Sequence, residues 1–151
     1  MEAKIENPVL TNWKNIPDKG IVYTADDIIE AWEKGKAYYS DYMRNMFMEN
    51  VSKIKSKSED FFNDMNKSKS RSHALFLKIN SINSFSIIYV LDRDIYSSDD
   101  KVKNIYQKSW DIEKEFDNEK IMLDISFMPY SKNINIDRLN ADGYTSFYGK
   151  L

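Results

Sequence analysis

Asp92 and Asp94 stand one residue apart where the apolar run SFSIIYVL ends in DRD, and Asp124 interrupts a second run, IMLDISFMPY. Residues i and i+2 of an extended chain point to the same side, so the first two carboxylates are paired by geometry. A third acid on a neighbouring strand would complete the hard oxygen set that a divalent cation takes. Two cations held this way activate a nucleophile and steady a leaving oxygen. Asp92, Asp94 and Asp124 are therefore candidate metal ligands, and Mg is the cofactor this reading requires. The competing reading makes Asp92 and Asp94 polar residues at a strand exit. Asp99 and Asp100 have a simpler role. They follow Ser98 at a predicted helix start, where acids complement the helix dipole by about 0.3–1 kcal/mol each.

Over residues 84–127 this pattern resembles the nucleotidyltransferase fold, in which an Asp-x-Asp pair and a third Asp serve magnesium-dependent nucleotidyl transfer. The resemblance implies such an enzyme, active or decayed. Two features depart from it. That family places a Gly-Ser turn before the pair, whereas NSINSFS precedes it here without glycine. Its acids open the strand, and these close it.

Other chemistries are excluded by residue counts. There is no cysteine, which removes thiol nucleophiles, thiolate metal sites and disulfides. His73 is the single histidine, so histidine-rich metal sites are impossible. A general base needs a partner within hydrogen-bond reach, and Ser70 and Ser72 form no nucleophile motif around it. His73 therefore reads as a solvated or capping residue. The 4 glycines, at 20, 35, 143 and 149, build neither a dinucleotide fingerprint nor a P-loop.

Two further groups invite binding rather than catalysis. Residues 52–72 alternate Ser with Lys or Arg and read as an exposed loop around a short EDFFNDM helix. Lys53, Lys55, Lys57, Lys67, Lys69 and Arg71 are its candidate nucleic-acid contacts through phosphates. Glu59, Asp60 and Asp64 oppose them, and the aromatics that single-strand binders interleave are missing. The second group is apolar: Tyr39, Tyr42, Met43, Met46, Phe47, Tyr144, Phe147 and Tyr148. Aromatics and Met are enriched in interface cores, so these are candidate self-association residues.

The elements that must position these side chains follow from patterning. At 151 residues, with 42% hydrophobic and 14% aromatic content, the chain is long and apolar enough for one folded domain. Residues 1–22 read as an irregular arm packed on the body. Thr24, Asp27 and the Tyr23/Ile28 staple start a long helix. Its apolar positions recur every three or four residues and carry it toward Ile54, about 45 Å at 1.5 Å per residue. That length exceeds a small domain, so the helix bends near Gly35 or packs on a second copy. HALFLKI and FSIIYVLD read as a hairpin of strands. A second helix begins at Ser97 or Ser98, and IMLDISFMPY is the best strand. INID is a candidate fourth strand, and the tail turns at Asp142-Gly143. The order predicts an α+β fold: a mixed, mostly antiparallel sheet of three to five strands, a long N-terminal helix and a crossover helix, with helices on one face.

A net charge of −2 argues against a one-signed field for nucleic acid or membrane. No apolar leader and no 20-residue apolar window is visible, so a cytoplasmic protein is expected. Abundant Lys, Asn and Ile suggest an AT-rich bacterial or phage genome. The expected function is a non-enzymatic interaction protein acting as a homodimer or through a protein partner. The metal-dependent enzyme is the alternative, and nucleic-acid contact through 53–71 the lesser one.

Overall fold

The computed structural model describes residues 13–16, 25–26, 28–30 and 40–150. Strand β1 (Lys14–Asn15) precedes helix α1 (Ser40–Lys67), the hairpin β2 (Ser72–Ser81) and β3 (Ser84–Leu91), and a single-turn helix α2 (Arg93–Tyr96). Helix α3 (Asp99–Asn118), strand β4 (Met122–Pro129), helix α4 (Ile136–Ala141) and strand β5 (Tyr144–Gly149) complete it. The sheet order is β1-β5-β2-β3-β4. β3 and β4 are parallel, joined by the α3 crossover, and the remaining pairs are antiparallel. The fold is α+β with a mixed sheet, as the pattern predicts.

Alternation sorts the sheet into two faces. Leu75, Leu77, Phe85, Ile87, Tyr89, Leu91 and Leu123 point to one side and pack with Phe47, Val51, Ile54, Phe61, Phe62 and Met65 of α1. Val102, Ile105, Ile112 and Phe116 of α3 join the same core at helical spacing. Ala74, Phe76 and Val90 point to the other side, where Ile16 and Leu139 close a smaller core. Helices on one face only is thus corrected: α1 and α3 cover one face, and α4 with its flanking residues covers part of the other. Both central strands are buried on both faces, which is why they read as continuous apolar runs. Hydrogen bonds tie α1 to the β2–β3 hairpin, among them one from the Ser72 N–H to Asn66 Oδ1 at 2.9 Å. The Tyr89 hydroxyl donates to the Ser58 carbonyl at 3.0 Å, and Asn50 Nδ2 donates to the Ile82 carbonyl at 3.0 Å.

The largest revision concerns residues 52–72. The expected loop is α1 as far as Lys67. Its Ser/Lys alternation hides a periodicity in which Ile54, Ser58, Phe61 and Met65 are all buried. Lys53 and Lys57 on the same helix reach Glu119, just past the end of α3, at 3.7 Å and Glu115 on α3 at 3.2 Å. The helix expected from Thr24 is helical at residues 25, 26 and 28–30; Trp32, Gly35 and Tyr39 lie outside the described residues. Residues 134–137 form no strand: Ile136 opens α4, with the Asn135 side chain accepting from the Arg138 N–H at 3.0 Å. The tail does turn at Asp142-Gly143 and then pairs with β2.

α1 and α3 end alike. The Ser70 N–H reaches back to the Met65 carbonyl, and the Ile121 N–H to the Phe116 carbonyl, both at 2.9 Å. The residues before them, Lys69 and Lys120, both have φ 66°, in the left-handed position that glycine usually fills.

Candidate functional site: two clefts at opposite ends of the sheet

The three aspartates do not converge. Asp124 pairs in register with Ser86, six residues before Asp92 along β3. At about 3.3 Å per residue that is roughly 20 Å along the strand. Asp92 stands at the N-cap position of α2 with no side-chain capping bond, and Asp94 lies exposed in its first turn. Among the described residues no three His, Asp or Glu side chains are grouped to hold a metal ion. The candidate Mg set fails on register: a parallel pairing puts the third residue of one strand beside the third residue of the other, not beside its exit. The carboxylate of Asp124 instead acts on Tyr144, whose pKa is raised by burial, then by Asp124 and Asp142.

The six basic candidates also part. Lys53 and Lys57 are paired with Glu119 and Glu115 at the C-terminal end of α3, and Lys67 is exposed at the end of α1. Lys55 is no surface contact: it is 4% exposed, and its ammonium lies 4.8 Å from the centre of the Trp13 ring. Burial lowers its pKa to about 8, against the opposing charges of Asp26 and Glu59. Glu59 is itself raised, chiefly by burial. Only Lys69 and Arg71 stay together.

They line a cleft of ≈ 970 Å³ with His73, Asp92 and Lys150. The short connection between α1 and β2 supplies Lys69 and Arg71, and the residue after β5 supplies Lys150. His73 stacks on Tyr130, ring centres 4.0 Å apart and planes at 16°. Its Nε2 lies 3.4 Å from Asp92 Oδ1. The lone histidine therefore has the carboxylate partner that spacing along the chain could not reveal. Asp92, proposed as a metal ligand, is a histidine partner.

A second groove, ≈ 430 Å³, opens between α3 and β4 at the other end of the sheet. Trp110 and Met122 line it, 59% and 66% exposed. So do Glu113, Asp117, Asp124 and Lys114. The Glu113 Oε2 accepts the Ile125 N–H at 3.1 Å. Met122 N and Tyr130 N donate to the β3 side, to the Asn83 and Leu91 carbonyls. Even-numbered N–H groups of β4 thus face β3, and odd-numbered ones face the open edge, where Glu113 occupies Ile125.

Candidate interface residues fall into different environments. Phe47 is buried at 1%, and Tyr148 packs on the first core, its ring 5.3 Å from Phe62. Tyr144 and Phe147 pack on the second core, Met43 and Met46 are half-buried, and Tyr42 is 72% exposed. Much of the apparent apolar surplus fills two cores rather than one. Trp110 and Met122 were missed because each fits a regular helix or strand pattern. Their exposure depends on what the chain brings over them.

Neither protein families, curated proteins nor solved structures provide a match to this chain.

Proposed function

We propose that this chain is a non-enzymatic cytoplasmic interaction module that binds a protein partner in the groove between α3 and β4. The observation that carries this reading is the exposure of Trp110 and Met122 together. Of the five exposed large hydrophobic residues described, these two carry no hydroxyl, and both line one groove. Aromatic and Met side chains anchor interface cores. Three acids against one lysine fit a partner segment carrying Lys or Arg, and an exposed indole adds a cation–π surface. Glu113 occupies the Ile125 N–H in the middle of the open edge, which favours a partner in the groove over one that extends the sheet. A two-fold pairing of copies across this groove would bring like-charged rims together, which favours a different protein there.

The test is selection of displayed peptides on the full chain, followed by affinity measurement on Trp110→Ser. Selected peptides are expected to carry Lys or Arg and to lose about tenfold or more in affinity, which is ~1.4 kcal/mol. Peptides that bind Trp110→Ser equally well would remove the reading. Self-association is a second reading, favoured by Tyr42 standing 72% exposed on α1. A monomer by light scattering at micromolar concentration ends it. No described helix is long and apolar enough to cross a membrane.

A further inference from the structure

We infer that the Arg71 cleft is a binding site for a phosphate group, free or carried on a small molecule. Lys69 and Arg71, from the connection between α1 and β2, meet Lys150, from the far end of the chain after β5, in one cleft, although the protein as a whole carries net charge −2. None of the three is ion-paired with another described residue. Among the described lining residues the one acid, Asp92, has His73 Nε2 3.4 Å away. A local excess of cations in a concave site focuses the field on an anion. Phosphate suits that excess, because Arg binds it through two parallel N–H donors and Lys as a point charge.

The cations are held on ordered backbone. The Ser72 N–H donates to Asn66 Oδ1 at 2.9 Å, and the Asp92 N–H to the Arg71 carbonyl at 2.9 Å. The Lys150 N–H donates to the His73 carbonyl at 3.0 Å. Fixing the chain before the ligand arrives lowers the ordering cost of binding. At ≈ 970 Å³ the cleft exceeds what a bare phosphate fills, which leaves room for the group that carries it. Asp92 and Tyr130 fix the His73 ring at the wall of the cleft.

The backbone of Lys69 supplies an unusual control. Glycine at a left-handed helix end relieves strain, so Lys69→Gly and Lys120→Gly are both expected to raise the melting temperature. Only Lys69 lines the cleft. Calorimetric titration of the full chain at low salt uses inorganic phosphate, ribose 5-phosphate and a single-stranded oligonucleotide as probes. Ribose 5-phosphate is expected to bind. Arg71→Gln should weaken it about tenfold or more, and Lys69→Gly about threefold or more despite its higher melting temperature. Lys120→Gly should leave affinity unchanged. Equal affinity for inorganic phosphate would identify the free ion as the ligand, and tighter ester binding a carried phosphate. Failure of both small probes overturns the inference, and so does binding of the oligonucleotide alone with a steep salt dependence. Unchanged affinity in Arg71→Gln and Lys69→Gly also overturns it. Trp110→Ser is expected to bind phosphate normally, which separates this test from that of the α3–β4 groove.

Discussion

Single side chains here depend on burial that the chain alone does not announce. Lys55 belongs to a run of alternating Ser and Lys, yet it is buried with its pKa lowered to about 8 from 10.5. Between those values the unfolded chain holds a proton that the folded chain lacks, so stability rises with pH. The rise is about 2 kcal/mol between roughly pH 8 and 10. Above that, Tyr89 acts in the opposite sense, because burial raises its pKa and the folded form resists ionisation. Urea unfolding across this window should show the increase in the native chain and not in Lys55→Met; parallel curves would contradict it. Gly149 is constrained just as tightly. Its φ is +102°, and a Cβ there would lie 2.5 Å from the His73 carbonyl oxygen and 2.9 Å from Ala74 Cα. Gly149→Ala should cost at least about 1–3 kcal/mol in thermal unfolding, since backbone on the other side cannot give way easily. A native melting temperature would show that β5 is held less firmly against β2 than this contact requires.

Among elements, α3 and the central strands were legible because their apolar spacing belongs to one period throughout. Val102, Ile105, Ile112 and Phe116 mark a buried stripe in sequence and in structure. α1 was only partly legible. Its C-terminal half carries the same stripe, but Ser and Lys around it imitate a polar loop, and the glutamates that pair with Lys53 and Lys57 lie at the far end of α3 and just past it. The short α2 was invisible, since a four-residue helix carries no periodicity. Edge strand β4 shows how one element protects another. Glu113 of α3 occupies the Ile125 N–H on the open edge. Glu113→Ala should destabilise the fold by about 1 kcal/mol and expose that donor to edge pairing. Light scattering during prolonged incubation should then show faster association than the native chain; identical behaviour would mean Glu113 gives the edge no protection.

At the scale of the whole molecule, the mixed sheet separates two surfaces of opposite character. An acidic, apolar groove lies where β3 and β4 begin, and a cationic cleft lies near where β3 ends. The separation predicts that ligands at the two ends bind without coupling, because a coupling needs a two-state element that both bias. Titrating phosphate with and without a groove-selected peptide should give the same affinity within error; a severalfold change would reveal a connection through the sheet.

The chain by itself determined the α+β class, the hairpin, the crossover helix and the exclusion of cysteine and glycine-loop chemistry. These follow from local spacing and from residue counts, which folding does not alter. Tertiary structure alone decided the sites. Strand register carried Asp124 away from Asp92, chain crossing brought Lys150 to Arg71, and packing placed His73 against Asp92 and Tyr130. Each of these is a distance between residues far apart in the chain, set by the closing of two cores around one sheet.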